Sequence, residues 1–240
     1  MTWQLGTVED VVAETDRTAS IVLRVPEWPG HRAGQHVDVR LTAEDGYQAQ
    51  RSYSIASAPD GDAVVLTVER LEDGEVSSYL VGELRVGDEL ELRGPIGGYF
   101  VWEEAMGGPL MLIAGGSGIV PLRAMLRHRL ARKSVVPVRL LYSARSHHEL
   151  IYRDELSGLG VEAGVDVSVT LTREQPPGWQ GYDRRIDRAL VAEVAWPPAE
   201  RPLAYICGPT SFVEAASDAM VSLGHEPGRI RTERFGPTGR

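Results

Sequence analysis

Three groups of residues have types and spacings that can do chemistry. In Leu110 to Pro121, an apolar run enters Gly115, Gly116, Ser117 and Gly118, and a helical stretch from about Ile119 to Arg132 follows. Glycines let backbone amides approach an anion without an intervening side chain, and the positive end of the helix then faces a phosphate. Pro121 suits the first helical turn, where its missing N–H costs nothing. It also stands where G-x-G-x-x-G has its third glycine, and such a turn can equally be a plain strand-to-helix connection. The second group is basic and hydroxylic: Ser143-Ala144-Arg145 after a strand over Val136 to Ser143, Thr172-Arg173-Glu174 after a strand over Val165 to Thr172, then Arg184-Arg185. Ligands of doubly wound sheets lie beyond the carboxyl ends of the strands, and NAD sites usually place an acid there for the ribose. Arginines in that place suit a 2'-phosphate, because a planar guanidinium holds phosphate through two bonds; the alternative is solvated surface charge. The third group, Cys207-Gly208-Pro209, sets a thiol at a strand end, either as a small core residue or as a nucleophile.

The elements that must position these groups change character along the chain. From Leu5 to Gly94, short alternating runs such as Ser20 to Val25, His36 to Leu41 and Val64 to Glu69 are punctuated by Pro29-Gly30, Pro59-Asp60-Gly61 and Val86-Gly87-Asp88. That pattern predicts an antiparallel barrel or sandwich. After about Trp102, strands at Leu110 to Ala114, 136–143, 165–172 and Leu203 to Cys207 alternate with helical stretches at 119–132, 149–156, 186–194 and 211–223. Alternation of this kind predicts a parallel sheet built from crossover units. The expected fold class is therefore two-domain, β followed by α/β, with domains over 1–103 and 104–240.

Composition narrows the partners. The 240 residues carry a net charge of -9, which argues against nonspecific nucleic-acid binding. Cys207 is the single cysteine, which excludes an internal disulfide, a four-cysteine iron-sulfur cluster or a cysteine-rich zinc site within this chain, and no metal site is expected. With no apolar leader and no run of about 18 apolar residues, membrane insertion is not expected and the cytoplasm is the expected location.

Arg51-Ser52-Tyr53-Ser54-Ile55-Ala56-Ser57 resembles the flavin motif of the ferredoxin-NADP reductase superfamily. Further motifs follow in that family's order: Gly74-Glu75-Val76-Ser77, Gly94-Pro95-Ile96-Gly97-Gly98, Gly116-Ser117-Gly118, Cys207-Gly208-Pro209 and Glu233-Arg234-Phe235-Gly236. The resemblance implies a six-stranded antiparallel flavin barrel and a Rossmann-like nucleotide domain. It gives Arg51, the amides of Val76 and Ser77, and the Ser77 hydroxyl to the flavin pyrophosphate. Tyr53 would lie along the flavin and Ser54 would donate to its hydride-accepting nitrogen, while Ile55 and Ser57 offer contacts to its polar edge. Cys207 would shape the nicotinamide pocket, Phe235 would stack on the flavin, and Glu233 would stand near as a proton or electrostatic partner. Arg145, Arg173 and Arg185 take the 2'-phosphate, with Arg184 leaving open which of its pair binds.

The implied activity is that of a flavin-dependent NAD(P)H oxidoreductase. FAD is expected rather than FMN, and NADPH rather than NADH. Because the chain ends five residues after Phe235 and has one cysteine, electrons are expected to pass to a separate acceptor protein such as a ferredoxin, haem or molybdenum protein. A flavin or ferric reductase with a diffusible acceptor, and a nucleotide- and flavin-binding regulatory subunit of a larger redox complex, are the competing readings.

Overall fold

The computed structural model describes residues 2–61, 63–162 and 164–236. The chain divides into two compact units, Met1–Trp102 with Arg123–Ala131, and Glu103–Leu122 with Arg132–Arg240.

In the first unit the alternating segments become β1 (Gln4–Thr15), β2 (Thr18–Arg24), β3 (His36–Thr42), β4 (Gln48–Ser54), β5 (Val64–Glu69) and β6 (Glu89–Ile96). They form one sheet in the order β4-β3-β6-β1-β2-β5, every pairing antiparallel. The two edges meet just beyond the flavin-like motif, where Ile55 bridges Leu66 and the Ala56 N–H donates to the Val65 carbonyl at 2.7 Å. Closure removes the unpaired edges that an open sheet would expose. Period-two alternation sends Val8, Ile21, Leu23, Val37, Val39, Leu66, Leu90 and Leu92 into one apolar interior. A helix that the alternating pattern did not predict, α1 (Glu75–Gly82), adds Val76 and Leu80 to that interior. Eight residues with two inward apolar positions are too few for a helical period to stand out in sequence.

The second unit contains β7 (Leu110–Gly115), β8 (Val138–Ser146), α3 (Arg153–Glu162), β9 (Val165–Glu174), α4 (Arg188–Val194), β10 (Leu203–Pro209), α5 (Thr210–Ser222) and β11 (Ile230–Phe235). The helix α2 (Ile119–Ala131) begins in this unit. All five strands are parallel, in the order β11-β10-β7-β8-β9. The central β7 is buried along its whole length, as its apolar run predicts. Several boundaries differ from the sequence expectation, three of them near the site. β8 runs to Ser146 and β9 to Glu174, so Arg145 and Arg173 lie within strands rather than in the loops after them. α3 starts at Arg153 instead of Glu149, because a short 3-10 turn occupies His147–Glu149 and Tyr152 adopts a left-handed φ of 59°. β11, which carries the terminal motif, is a fifth strand. No described helix is long and apolar enough to cross a membrane.

Candidate functional site

The flavin-like motif lies on β4, where alternation puts Arg51 and Tyr53 on one face and Ser52 and Ser54 on the other. Arg51 is exposed, and among the described residues its guanidinium donates only to the carbonyl of the neighbouring Gln50, from Nη1 at 2.7 Å. Its charge is therefore available to an anion. Tyr53 packs against the barrel interior, and burial pushes its phenol up to about 12, so it remains a neutral donor across the physiological range. Ser54 is half-buried and directly opposite His36 on β3. Ser52 serves the barrel instead, since its hydroxyl donates to Asp38 Oδ1 at 2.6 Å while Arg93 Nη2 holds Oδ2 at 2.6 Å. Burial pushes the Asp38 carboxyl up, but these two hydrogen bonds outweigh it and hold the group below its usual range. Ile55 is fully buried and gives its N–H to the Gln35 carbonyl at 2.9 Å, and the Ser57 hydroxyl accepts the Val65 N–H at 3.1 Å. Those two residues close the barrel as well as ending the motif.

The first turn of α1 faces the same neighbourhood. Gly74 precedes it and supplies no side-chain cap, and the amides of the first turn have no intrahelical acceptors. A Cβ on Gly74 would lie 2.3 Å from Ser77 Oγ, so a larger residue there would have to displace that hydroxyl. Val76 and Ser77 are buried. The Ser77 hydroxyl accepts the Leu71 N–H at 3.1 Å and donates to the Gly74 carbonyl at 3.3 Å, so it shapes the turn, and the backbone amides remain for an anion. The group that these residues fit is a pyrophosphate beside a cation.

In the second unit the strand register aligns the nucleotide-loop residues in one row. Gly115 on β7 pairs with Ser143 on β8, Ser143 with Thr170 on β9, and Thr170 bridges Tyr182. Gly116, with φ of 54° and open space where a Cβ would point, leads through Ser117 to Gly118. A Cβ on Gly118 would come within 2.1 Å of the Cys207 carbonyl, and one on Gly115 or Gly208 would meet the Phe212 ring at 2.8 Å. The turn is thus packed on one side and open on the other, a cradle for phosphate. Pro121 is the third residue of α2, where no intrahelical N–H is required.

The arginines separate by what holds them. Arg184 Nη2 is bound to Glu193 Oε1 at 2.5 Å. Arg145, Arg173 and Arg185 are exposed, and no hydrogen bond or ion pair engages them among the described residues. Arg185 is therefore the available member of its pair, a distinction that sequence alone leaves open. The segment carrying it is fastened to β9 by hydrogen bonds from Tyr182 N–H to the Val169 carbonyl and from Leu171 N–H to the Tyr182 carbonyl, each 2.9 Å. Ser143 is buried, and the Thr172 hydroxyl donates to the Ala144 carbonyl at 3.3 Å.

Cys207 and Glu233 are direct partners across β10 and β11, and Pro209 pairs with Phe235. Pro209 is exposed and Phe235 half-buried. Burial, then the neighbouring Glu233 charge, raises the Cys207 thiol well above its usual value, so no thiolate nucleophile forms near neutral pH. Burial also pushes the Glu233 carboxyl up to about 7. A carboxyl of that strength exchanges protons under ordinary conditions. Sequence reasoning gave no role to two side chains near α1, Tyr47 and Glu75, which are joined by a hydrogen bond of 3.0 Å from the phenol to Glu75 Oε2. A single tyrosine in a polar hairpin carries no sequence signal of its own.

Comparison with known proteins gives two adjoining matches. An oxidoreductase FAD-binding domain is recognised over residues 7–101 and an oxidoreductase NAD-binding domain over 112–218. The glycine betaine monooxygenase reductase subunit of Chromohalobacter salexigens is 31% identical over 211 residues, covering 86% of this chain and 56% of that protein. A flavohemoprotein of Chromobacterium violaceum is 34% identical over 251 residues, covering 98% of this chain and 61% of that protein. The chain thus spans more than half, but less than two thirds, of these relatives. The FAD/NAD-binding domain of nitric oxide dioxygenase from Vibrio cholerae superposes with a TM-score of 0.87 at 27% identity, covering 98% of this chain and 99% of that one.

Proposed function

The chain belongs to the ferredoxin-NADP reductase superfamily, and from that premise we propose that it takes hydride from NADPH onto FAD and passes the electrons singly to a separate acceptor protein. The observation that carries the reading is the presence of two anion seats of different make in one chain. One joins the uncapped start of α1 to the free guanidinium of Arg51. The other joins the glycine turn after β7 to the unengaged Arg145, Arg173 and Arg185. Bound flavin supplies the capacity to accept two electrons and release them one at a time.

The residues of the chain then have definable roles. Arg51 and the α1 amides neutralise the flavin pyrophosphate. Tyr53 stays un-ionised and presents a ring with a donor hydroxyl. Ser54 would donate a hydrogen bond to the hydride-accepting edge of the flavin, and Phe235 would cover its ring. The protonated Cys207 thiol fills space beside the reacting nicotinamide, and Glu233 holds or yields a proton near neutral pH. The three arginines favour NADPH over NADH, because the 2'-phosphate is the only group that distinguishes the two and guanidinium groups bind it through paired hydrogen bonds.

A protein acceptor is supported by the relatives: one is named as the reductase subunit of a monooxygenase, and the other's name pairs flavin with haem. The domains divide at about residue 103, and the cytoplasm is the proposed location, in keeping with a lone, buried, reduced cysteine. The test is an anaerobic absorbance titration of the purified protein with NADPH and, separately, NADH. Bleaching of a bound FAD at lower NADPH than NADH supports the reading. An FAD that neither nucleotide reduces sinks it, and equal response to both removes the 2'-phosphate assignment.

A further inference from the structure

The hairpin between β3 and β4 ends in an aromatic ring that the roles above leave unused. Its backbone is fixed: the Ala43 N–H donates to the Tyr47 carbonyl, the Gly46 N–H to the Ala43 carbonyl, and the Tyr47 N–H to Asp45 Oδ1, all at 2.9 Å. Gly46 supplies the left-handed turn with φ of 88°. Tyr47 nevertheless leaves 57% of its surface in water. It is pinned only at its tip, where the phenol donates to Glu75 Oε2 on the first residue of α1. An aromatic that is held by its hydroxyl and not packed by its ring has a face to offer.

Its position fits one particular occupant. Tyr47 immediately precedes β4, on which Arg51 and Tyr53 share one face, and six residues of extended chain span about 20 Å. Arg51 curls back toward Gln50, and its charge offsets part of the rise that the Glu75 hydrogen bond causes in the Tyr47 phenol, so cation and ring share one neighbourhood. From Tyr53 back to the hairpin, the chain presents the tyrosine assigned to the flavin, the arginine assigned to the pyrophosphate, Ala49 buried in the core, and then a second aromatic. FAD has the same order of parts, ending in adenosine, whereas FMN ends at its phosphate.

We propose that Tyr47 is the stacking platform for the adenine of FAD, with Glu75 fixing the ring and offering its second oxygen to the adenosine ribose, and that this pair makes the barrel select FAD over FMN. The proposal rests on the reading that Arg51 and the start of α1 hold the flavin phosphate. Base–aromatic stacking removed by alanine substitution weakens binding about five- to hundredfold.

The experiment is equilibrium binding of FAD and of FMN, each followed by flavin fluorescence, to the flavin-depleted full chain and to its Tyr47→Ala and Tyr47→Trp variants. Tyr47→Ala should weaken FAD about tenfold or more while FMN affinity stays within about twofold, and Tyr47→Trp should restore FAD. Retained FMN binding reports that the variant barrel is folded. FAD affinity unchanged in Tyr47→Ala, or FAD and FMN affinities falling together, overturns the adenine assignment while leaving the phosphate reading standing. If the native chain binds neither flavin, the phosphate reading itself fails.

Discussion

Replacing Glu233 with glutamine tests the most unusual acid in the chain. Burial raises its carboxyl from 4.5 to about 7, so the folded protein holds this proton more tightly than the unfolded chain does. At about 1.4 kcal/mol for each tenfold difference in proton affinity, full burial would cost about 3 kcal/mol. Glu233 keeps part of its surface in water, and solvent screening brings the figure to about 2 kcal/mol. The sign follows from proton binding. Below about pH 4.5 both states are protonated and the cost is absent; between 4.5 and 7 the unfolded chain ionises first and stability falls with pH; above 7 the whole cost is present. Glu233→Gln should therefore match the native protein at pH 4.5 and exceed it by about 2 kcal/mol at pH 8. Urea unfolding followed by circular dichroism at pH 4.5, 6 and 8 measures the difference. A gap that does not change with pH, or a native protein that is the more stable at pH 8, would refute the claim that burial governs this carboxyl.

Five further substitutions probe the anion seats. Arg51→Ala should weaken FAD binding about ten- to hundredfold, the worth of a charge-assisted hydrogen bond to phosphate, and full flavin occupancy at micromolar protein would contradict the seat. Arg185→Ala should raise the KM for NADPH about tenfold with NADH changed less than about twofold, while Arg184→Ala, already tied to Glu193, should have the smaller effect; the reverse order in steady-state kinetics would transfer the role to Arg184. Gly118→Ala places a Cβ 2.1 Å from the Cys207 carbonyl, where backbone must move, and should lower stability by about 3 kcal/mol and weaken nucleotide binding. Gly116→Ala meets open space and should cost only about 1 kcal/mol for its left-handed φ, so equal melting temperatures for the two variants would show the packing argument to be wrong.

Much of the fold is legible where side-chain pattern and burial agree. The apolar run 110–114, bounded by glycines, forms the covered strand it suggests, and the run Ser20 to Val25 forms a strand whose Ile21 and Leu23 enter the core. β11 was legible as a motif but not as a strand, because Ile230-Arg231-Thr232-Glu233-Arg234 is too polar to announce itself and gains its strand geometry from pairing with β10. The strand ends shifted for a related reason. Arg145 and Arg173 look like loop residues by polarity, yet the backbone ladder continues past them to Ser146 and Glu174. At the site, the cation of Arg51 and the glycine-rich turn 115–118 could be read directly as anion-binding candidates. Distinctions that depend on a partner far away in sequence could not be: Glu193 decides between Arg184 and Arg185, and Glu75 gives Tyr47 its fixed position.

The barrel fills its own interior. Leu, Ile and Val side chains from all the strands but β4, with Ala49 from β4 and Val76 and Leu80 from α1, complete the apolar core without any foreign group, while Arg51 remains at the surface. A flavin held in the proposed seat would then be cargo and not mortar, and loading a chemically altered flavin onto this scaffold should change the reducing power of the protein without altering a single residue.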